Sequence, residues 1–339
     1  MRILKTSLLV GFWGLIILLW VIGGLFYYQA AYPLVEVSEP KRFKVEKGMT
    51  LKQVAYRLAE SNLIRGPSAF RLLAYIQNKQ NQIKAGEFRI SASMTAMEIL
   101  QRITSGQSIL YSITIPEGYR ITEIASLLSR VGLADRQKFI ESAQDPLLID
   151  SLGLTMKNLE GYLFPDTYYF SKNTSEGKIV KSMLDTFMEQ TVRPEFRQRA
   201  MKIGLTFHEV ITLASLIEKE TGDRRERKLI SAVFHNRLKN KMRLQCDPTV
   251  IYTLDNFDGN LRKKDLSIDS PYNTYRYSGL PPGPIASPGL DSIKAALFPA
   301  LVNHIYFVSK RDGSHVFSST LADHNRAVRK YQLRGRKSL

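Results

Sequence analysis

The sequence predicts an α+β protein with an N-terminal transmembrane helix, a smaller α/β region and a longer mixed α+β domain. Three observations lead to this prediction. An uncharged apolar run, Leu8–Phe26, comes first, and a recurring strand-turn-helix pattern follows it. A change of composition near Asn158 then introduces further helices and a hairpin, in which Ile305–Val308 and His315–Ser318 flank Asp312-Gly313. We place the boundaries at 1–7 for a cytoplasmic tail, 8–28 for the transmembrane helix, 29–41 for a linker, 42–157 for the repeat region, 158–333 for the second domain and 334–339 for a basic tail.

The apolar run contains nineteen residues without a charge, which at 1.5 Å per residue spans a hydrocarbon core of ~30 Å. Arg2 and Lys5 precede it, and the first charge after it is Glu36. The positive-inside rule therefore predicts a single-pass protein with its N-terminus in the cytoplasm and the rest exported. A cleaved signal peptide is the alternative, but Gln29–Ala31 matches an A-x-A-like cleavage site poorly.

The net charge of +17 favours anionic partners. We expect no nucleic-acid binding, because no helix-turn-helix, zinc or RNA-binding signature occurs. A phosphate-binding glycine loop is absent from the sequence, and the histidines form no close pairs typical of metal ligands. We therefore expect neither a cofactor nor a metal. The single cysteine, Cys246, is interpreted as a small packed residue.

A weak internal repeat organises the first exported region. Val45-Glu-Lys-Gly48 and Ile115-Pro-Glu-Gly118 align at an offset of 70 residues, and each precedes apolar residues three and four apart. A looser copy begins at Phe88-Arg-Ile90, and Thr50 and Thr95 begin capping boxes. Such strand-helix units resemble the LysM module, which binds N-acetylglucosamine polymers. A small α+β domain without a ligand explains the repeat equally well.

A buried helix is predicted in the second domain. Thr206 and Glu209 form a capping box, Val210–Ile217 is almost entirely apolar, and Gly222 is placed to end the helix.

Two carboxylates, Glu218 and Glu220, lie in the last turn of this helix. They flank its apolar stripe on opposite sides, so periodicity does not choose between them. Desolvation beside an apolar surface raises the pKa of a carboxyl group and lets it donate a proton. The alternative is that both are half-exposed and paired with Lys219, Arg224 or Arg225.

A loop-rich stretch follows, with Asp247–Thr249, Ser270–Tyr275 and Gly279–Ile285 as its main strings. Tyrosine faces and neutral amides suit the binding of sugars. A plain surface loop is the alternative, but structureless loops longer than about 12–15 residues are uncommon in compact domains.

Several strings in order resemble the endolytic murein transglycosylase family, also called MltG or YceG-like. They are Glu160–Thr167, Ala214–Thr221, Val233–Leu238, Leu244–Val250, the loop strings Ser270–Tyr275 and Gly279–Ile285, and His315–Thr320 with His324-Asn325. The resemblance covers almost the whole chain. It implies that 42–157 is a LysM-like glycan-binding region and that 158–333 is the catalytic domain.

The resemblance implies that Glu218 is the catalytic residue. The family cleaves the β-1,4 bond between N-acetylmuramic acid and N-acetylglucosamine within a glycan strand, leaves 1,6-anhydro-N-acetylmuramic acid ends, and terminates or releases nascent strands. The partners implied are peptidoglycan, the inner membrane and the synthases (penicillin-binding proteins). We expect substrate-binding or supporting roles for Glu220, Asn236, Asp247, Thr249, Tyr272, Asn273, Tyr275 and Pro282.

One carboxyl group suffices for such a reaction, because the C6 hydroxyl of the sugar attacks from within the molecule. Two alternatives stay open. One is a hydrolytic muramidase with Asp247 or Glu220 as its second carboxylate. The other is a membrane-tethered peptidoglycan-binding scaffold without activity.

Overall fold

The computed structural model describes residues 2–153 and 156–333, and side chains from residue 11 onward. The predicted mixed α+β class with one apolar N-terminal helix is confirmed. Two compact units divide the chain: Met1–Tyr111 with Tyr169–Asn173, called the first unit, and Ser112–Tyr168 with Thr174–Leu339, called the second unit. The domain boundaries drawn from the sequence stay predictions, and the basic tail 334–339 lies outside the described residues.

The first unit contains the N-terminal helix and a small α/β core. Its elements are α1 (Arg2–Ala31), β1 (Lys41–Val45), α2 (Leu51–Glu60), α3 (Pro67–Ile76), β2 (Gly86–Ile90) and α4 (Ala96–Ser105). Strands β1 and β2 pair antiparallel, with Lys41 opposite Ile90. Both predicted capping boxes are confirmed, because the side chains of Thr50 and Thr95 accept the backbone N–H three residues ahead.

Helix α1 is long and apolar enough to cross a membrane over Gly11–Ala31, where its mean hydropathy is 1.8. Its apolar side chains are exposed, including Trp20 at 79%. The C-terminal end of α1 packs on the first unit, where Ala30 is buried and Phe26 is partly buried against the core. The exposed apolar surface along the rest of the helix suits a lipid environment. A signal sequence passes the same test of length and composition. That α1 is an uncleaved anchor, and the side of the membrane on which each part lies, stay predictions.

The division between the units falls within β3 (Tyr111–Thr114) and β4 (Thr167–Phe170). The other elements are α5 (Ile121–Arg130), α6 (Arg136–Ser142), α7 (Pro146–Asp150), α8 (Glu176–Thr191), α9 (Pro194–Lys202), α10 (Phe207–Glu220), α11 (Arg227–Lys239), α12 (Asp247–Ile251), α13 (Leu290–Leu297), β5 (Tyr306–Ser309), β6 (His315–Ser318) and α14 (Leu321–Val328), with a 3-10 turn at Asp265–Ser267 and a π-helix at Arg329–Leu333. The predicted hairpin is confirmed as β5 and β6.

Helix α10 is the centre of the second unit and packs against α9, α11, α12 and α13. Its predicted capping box is confirmed, since Thr206 accepts the N–H of Glu209 and the Glu209 carboxylate accepts the N–H of Thr206. Every residue of Val210–Ile217 is buried. Helix α10 ends at Glu220 with an extended Thr221 as its C-cap, so Gly222 stands directly after the end of the helix, as predicted, although it does not adopt the left-handed conformation. The Thr221 hydroxyl accepts the N–H of Asp223.

Candidate active site

Glu218 lies in the last turn of α10, and its side chain is 5% exposed. One carboxylate oxygen, Oε1, accepts a hydrogen bond of 2.8 Å from Nη2 of Arg227, the first residue of α11. The other, Oε2, accepts the backbone N–H of Gly289 at 3.0 Å, directly before α13. Three helices therefore fix the orientation of this carboxylate, because each oxygen has its own donor.

A second carboxylate, Glu117, shares the same guanidinium group. Its Oε2 accepts from Nη2 of Arg227 at 3.0 Å, and its side chain is 34% exposed. Glu117 also lies against Gly289, where a Cβ atom would come within 2.0 Å of Glu117 Oε1. Position 289 thus has room for glycine but not for a larger side chain unless Glu117 moves.

The surroundings of Glu218 act on its proton in opposite directions. Burial is the largest influence and raises the pKa of Glu218 above its ordinary value. The Ser292 hydroxyl, the Gly289 N–H and the charge of Arg227 lower it, and the charge of Glu117 raises it. The net effect is a raised pKa, so Glu218 holds its proton more readily than an ordinary glutamate, while Arg227 and the Gly289 N–H remain in place to stabilise the carboxylate. A group arranged in this way can both donate and accept a proton.

Glu220 lies in different surroundings, beside Cys246 and Asp247. Burial raises the pKa of Glu220 to about 7, opposed by the Cys246 thiol and assisted by the charge of Asp247. The Asp247 carboxylate accepts a hydrogen bond from the Tyr275 hydroxyl. The structure therefore brings two of the sequence-predicted residues, Asp247 and Tyr275, close to Glu220, whereas the described hydrogen bonds of Glu218 join it to a different set.

A sequence profile of the YceG-like family matches residues 43–330. The chain belongs to the YceG-like family. The resemblance found in the sequence motifs is confirmed by relatives and by a solved structure. An endolytic murein transglycosylase of Bacillus subtilis (strain 168) is 35% identical over 334 residues, covering 92% of this chain and 91% of the relative.

A protein of the same name from Streptococcus pneumoniae serotype 2 is 29% identical over 343 residues, covering 90% of this chain and 62% of the relative. The crystal structure of a YceG-like protein from Listeria monocytogenes aligns with a TM-score of 0.58 at 31% identity. That alignment covers 85% of this chain and 98% of the Listeria chain.

Three predicted site residues of this YceG-like chain, Asn236, Asn273 and Thr249, donate side-chain hydrogen bonds to backbone carbonyl groups. The Asn236 side chain donates to the carbonyl groups of Val302 and His304, both at 2.8 Å. Asn273 is fully buried and donates to two carbonyl groups of the preceding loop. The buried Thr249 hydroxyl donates to the Cys246 carbonyl at 2.6 Å. These side chains brace the loops that follow α11.

Tyr272 and Pro282 line a cavity of about 410 Å³, together with Glu160, His208 and Tyr252. The Tyr252 and Tyr272 rings lie 4.9 Å apart, and the His208 ring is within hydrogen-bond distance of the Pro282 carbonyl at 3.0 Å. Burial raises the pKa of Glu160 to about 7. The predicted aromatic and proline-rich loop surface therefore exists, at the start of α10 rather than beside Glu218.

The alternative that Glu218 is half-exposed and paired with Lys219, Arg224 or Arg225 is wrong. Its ion pair is with Arg227. Lys219 donates to the Gly118 carbonyl at 3.1 Å instead. Arg225 pairs with Asp223, and Arg224 lies 3.8 Å from Asp291.

Sequence reasoning missed four residues around Glu218: Glu117, Arg227, Gly289 and Ser292. Glu117 had a signal, because it stands at the turn of the second repeat copy. Arg227 was one cation among several in a basic stretch. Neither Gly289 nor Ser292 lies in a string that carries the family resemblance.

Proposed function

We propose that this chain is an endolytic murein transglycosylase, a carbon-oxygen lyase that acts within peptidoglycan glycan strands. The observation that carries the proposal is the buried Glu218, with a raised pKa and a fixed donor on each carboxylate oxygen. Membership of the YceG-like family supports it, because the relatives named above carry this activity in their names.

The proposed reaction uses Glu218 twice. Protonated Glu218 gives its proton to the oxygen of the β-1,4 bond between N-acetylmuramic acid and N-acetylglucosamine, and that C–O bond breaks. The resulting carboxylate is stabilised by Arg227 and the Gly289 N–H. It then takes the proton of the C6 hydroxyl as that oxygen bonds to C1. The product ends in 1,6-anhydro-N-acetylmuramic acid, no water is consumed, and Glu218 regains its proton.

A hydrolytic muramidase is the less favoured alternative. Such an enzyme needs a second carboxylate across the sugar, about 5–9.5 Å from the first. Glu117 and Glu218 both accept from the same Arg227 nitrogen, so the guanidinium group occupies the space between them. Glu220 and Asp247, the second carboxylates considered from sequence, have surroundings of their own.

We further propose that the first unit binds glycan, as its resemblance to LysM suggests. A cavity of about 400 Å³ lies at the start of α2, lined by residues that include Thr50, Arg71, Tyr75 and Gln80. The side-chain oxygen of Gln80 is buried and has no hydrogen-bond partner among the described residues. An acetamido N–H or a sugar hydroxyl would satisfy this acceptor.

In this proposal α1 remains as an anchor in the cytoplasmic membrane and the rest of the chain is exported. The enzyme would then act where the synthases make nascent strands, and would terminate or release those strands. Protease added to cells with an opened outer barrier should remove the exported part. A mature chain that begins near Ala31 would contradict the anchor.

The central test digests peptidoglycan with the full-length chain in detergent and reads the strand ends by mass spectrometry. Anhydro ends, one water lighter than reducing ends, are expected, and Glu218→Gln should abolish them. Reducing ends would indicate a muramidase. Bound but uncut strands would indicate a scaffold.

A further inference from the structure

Arg227 also lines a cavity of about 520 Å³ formed by α9, α11 and α13 in the second unit. Phe196 and Ala295 give this cavity a buried apolar wall. Its polar lining consists of Arg224, Arg225, Arg227, Lys228, Lys294 and one carboxylate, Asp291. We call it the cationic cavity, because five positive side chains face one negative side chain.

Several of these cations lack a protein partner. Arg225 is paired with Asp223, and Arg224 lies near Asp291. Lys228 and Lys294 form no ion pair in the part of the chain that the structure describes. Nε and Nη1 of Arg227 are buried, and neither has a hydrogen-bond partner there. The charge of Arg227 is already paired with Glu117 and Glu218 through Nη2. Its two buried N–H donors without an acceptor are nonetheless costly, so an oxyanion that reached them from the cavity would relieve that cost.

The N-terminus of helix α11 also favours an anion in the cationic cavity. Helix α11 begins at Arg227, and its first two residues, Arg227 and Lys228, both line the cavity. The first N–H groups of a helix have no partner within the helix and favour negative charge. Nη2 of Arg227 holds both Glu117 and Glu218, whereas its Nε and Nη1 have no acceptor among the described residues. Arg227 therefore links the cavity to the candidate active site.

We infer that the cationic cavity binds an oxyanion carried by the substrate and thereby positions the glycan strand at Glu218. This inference rests on the proposed function. Peptidoglycan offers two sources of an oxyanion: the carboxylates of its stem peptides, and the diphosphate that joins a growing strand to its lipid carrier. Both suit a site of arginine and lysine donors.

The first experiment measures binding without cleavage. Inorganic pyrophosphate and N-acetyl-alanyl-alanine, which ends in one carboxylate, are titrated into the full-length protein by calorimetry. The test variant is Lys228→Gln/Lys294→Gln, which touches neither Glu218 nor Arg227. Its matched control, Lys239→Gln/Lys263→Gln, removes two exposed lysines outside the cavity. We expect binding at least about tenfold weaker in the test variant only, since charge-assisted hydrogen bonds are lost.

The second experiment measures cleavage kinetics. KM for intact strands should rise at least about tenfold in the test variant while kcat stays unchanged, as expected for lost ground-state binding. Amidating the stem carboxylates, or removing the terminal diphosphate, identifies the source: the modification that abolishes the difference between wild type and test variant removes the bound group.

Equal affinity of both double variants for both probes, together with equal KM values, would overturn the inference. Failure of the proposed function has a different signature. The wild type would then bind a probe at the cationic cavity yet release no anhydro ends.

Discussion

Replacing Arg227 by methionine would test how the site controls the proton of Glu218. The substitution removes the cation but keeps an apolar side chain to fill space. Both side chains of the ion pair are 5% exposed, so Glu218 would lose a hydrogen-bond donor in largely desolvated surroundings. Glu218 would keep one donor, the Gly289 N–H, with Glu117 nearby.

The expected cost is that of breaking a buried ion pair, about 3–5 kcal/mol at neutral pH, rather than the ~0–1 kcal/mol of a surface pair. Its pH dependence follows from the pKa of Glu218, which burial already raises above the ordinary value of 4.5 and which loss of Arg227 would raise further. Because the pKa of Glu218 is higher in the folded protein than in the unfolded chain, protonation of Glu218 stabilises the fold, and this contribution is complete at a pH below the unfolded pKa. That stability is lost as pH rises through the folded value. The deficit of Arg227→Met should therefore shrink toward pH 4.5 and grow above it.

A double-mutant cycle with Glu218→Gln isolates the pair. Neutral glutamine needs no cation, so the double variant should be more stable than Arg227→Met at pH 8. Glu218→Gln alone should fold and bind glycan but lose at least ~100-fold in cleavage, because the transferable proton is gone. Arg227→Met should retain some cleavage. The alkaline limb of its pH profile of kcat/KM should move to higher pH, because the pKa of Glu218 rises when the cation is lost.

Unfolding is best followed in detergent by near-ultraviolet circular dichroism of the tyrosines at pH 5 and pH 8. Tryptophan fluorescence is unsuitable, because both tryptophans, Trp13 and Trp20, lie in α1. Cleavage is measured as release of anhydro ends. Equal stability of Arg227→Met and wild type at pH 8, or an equal deficit at both pH values, would contradict this role of Arg227. Near wild-type cleavage by a folded Glu218→Gln would refute the choice of acid.

Three further predictions concern the same site. Glu117→Gln removes a negative neighbour and lowers the pKa of Glu218, so the alkaline limb of kcat/KM should move to lower pH; an unchanged or higher limb would contradict this. Gly289→Ala should displace Glu117 and shift the profile in the same direction, whereas Gly222→Ala, with open space around its Cβ, serves as the control and should leave it unchanged. Glu220→Gln should reduce cleavage less than Glu218→Gln does; loss of cleavage in Glu220→Gln alone, with normal thermal melts for both variants, would reverse the assignment of roles.

Local sequence determined much of this protein. The capping box of Thr206 and Glu209 began α10 where predicted, because each partner lies within one helical turn. The largely apolar run Val210–Ile217 predicted a buried helix, and the strings Ile305–Val308 and His315–Ser318 on either side of Asp312-Gly313 predicted the hairpin. The motif strings identified the family and singled out Glu218, which periodicity alone could not separate from Glu220.

Tertiary structure alone decided what surrounds Glu218. Gly289 is 71 positions away along the chain, and Glu117 is 110 positions from Arg227, to which it is bonded. No helical period relates such residues, because their proximity depends on how α10, α11 and α13 pack. For the same reason the sequence could not choose among the neighbouring cations. An arginine is selected as a partner by where its helix begins in space, and α11 begins at Arg227.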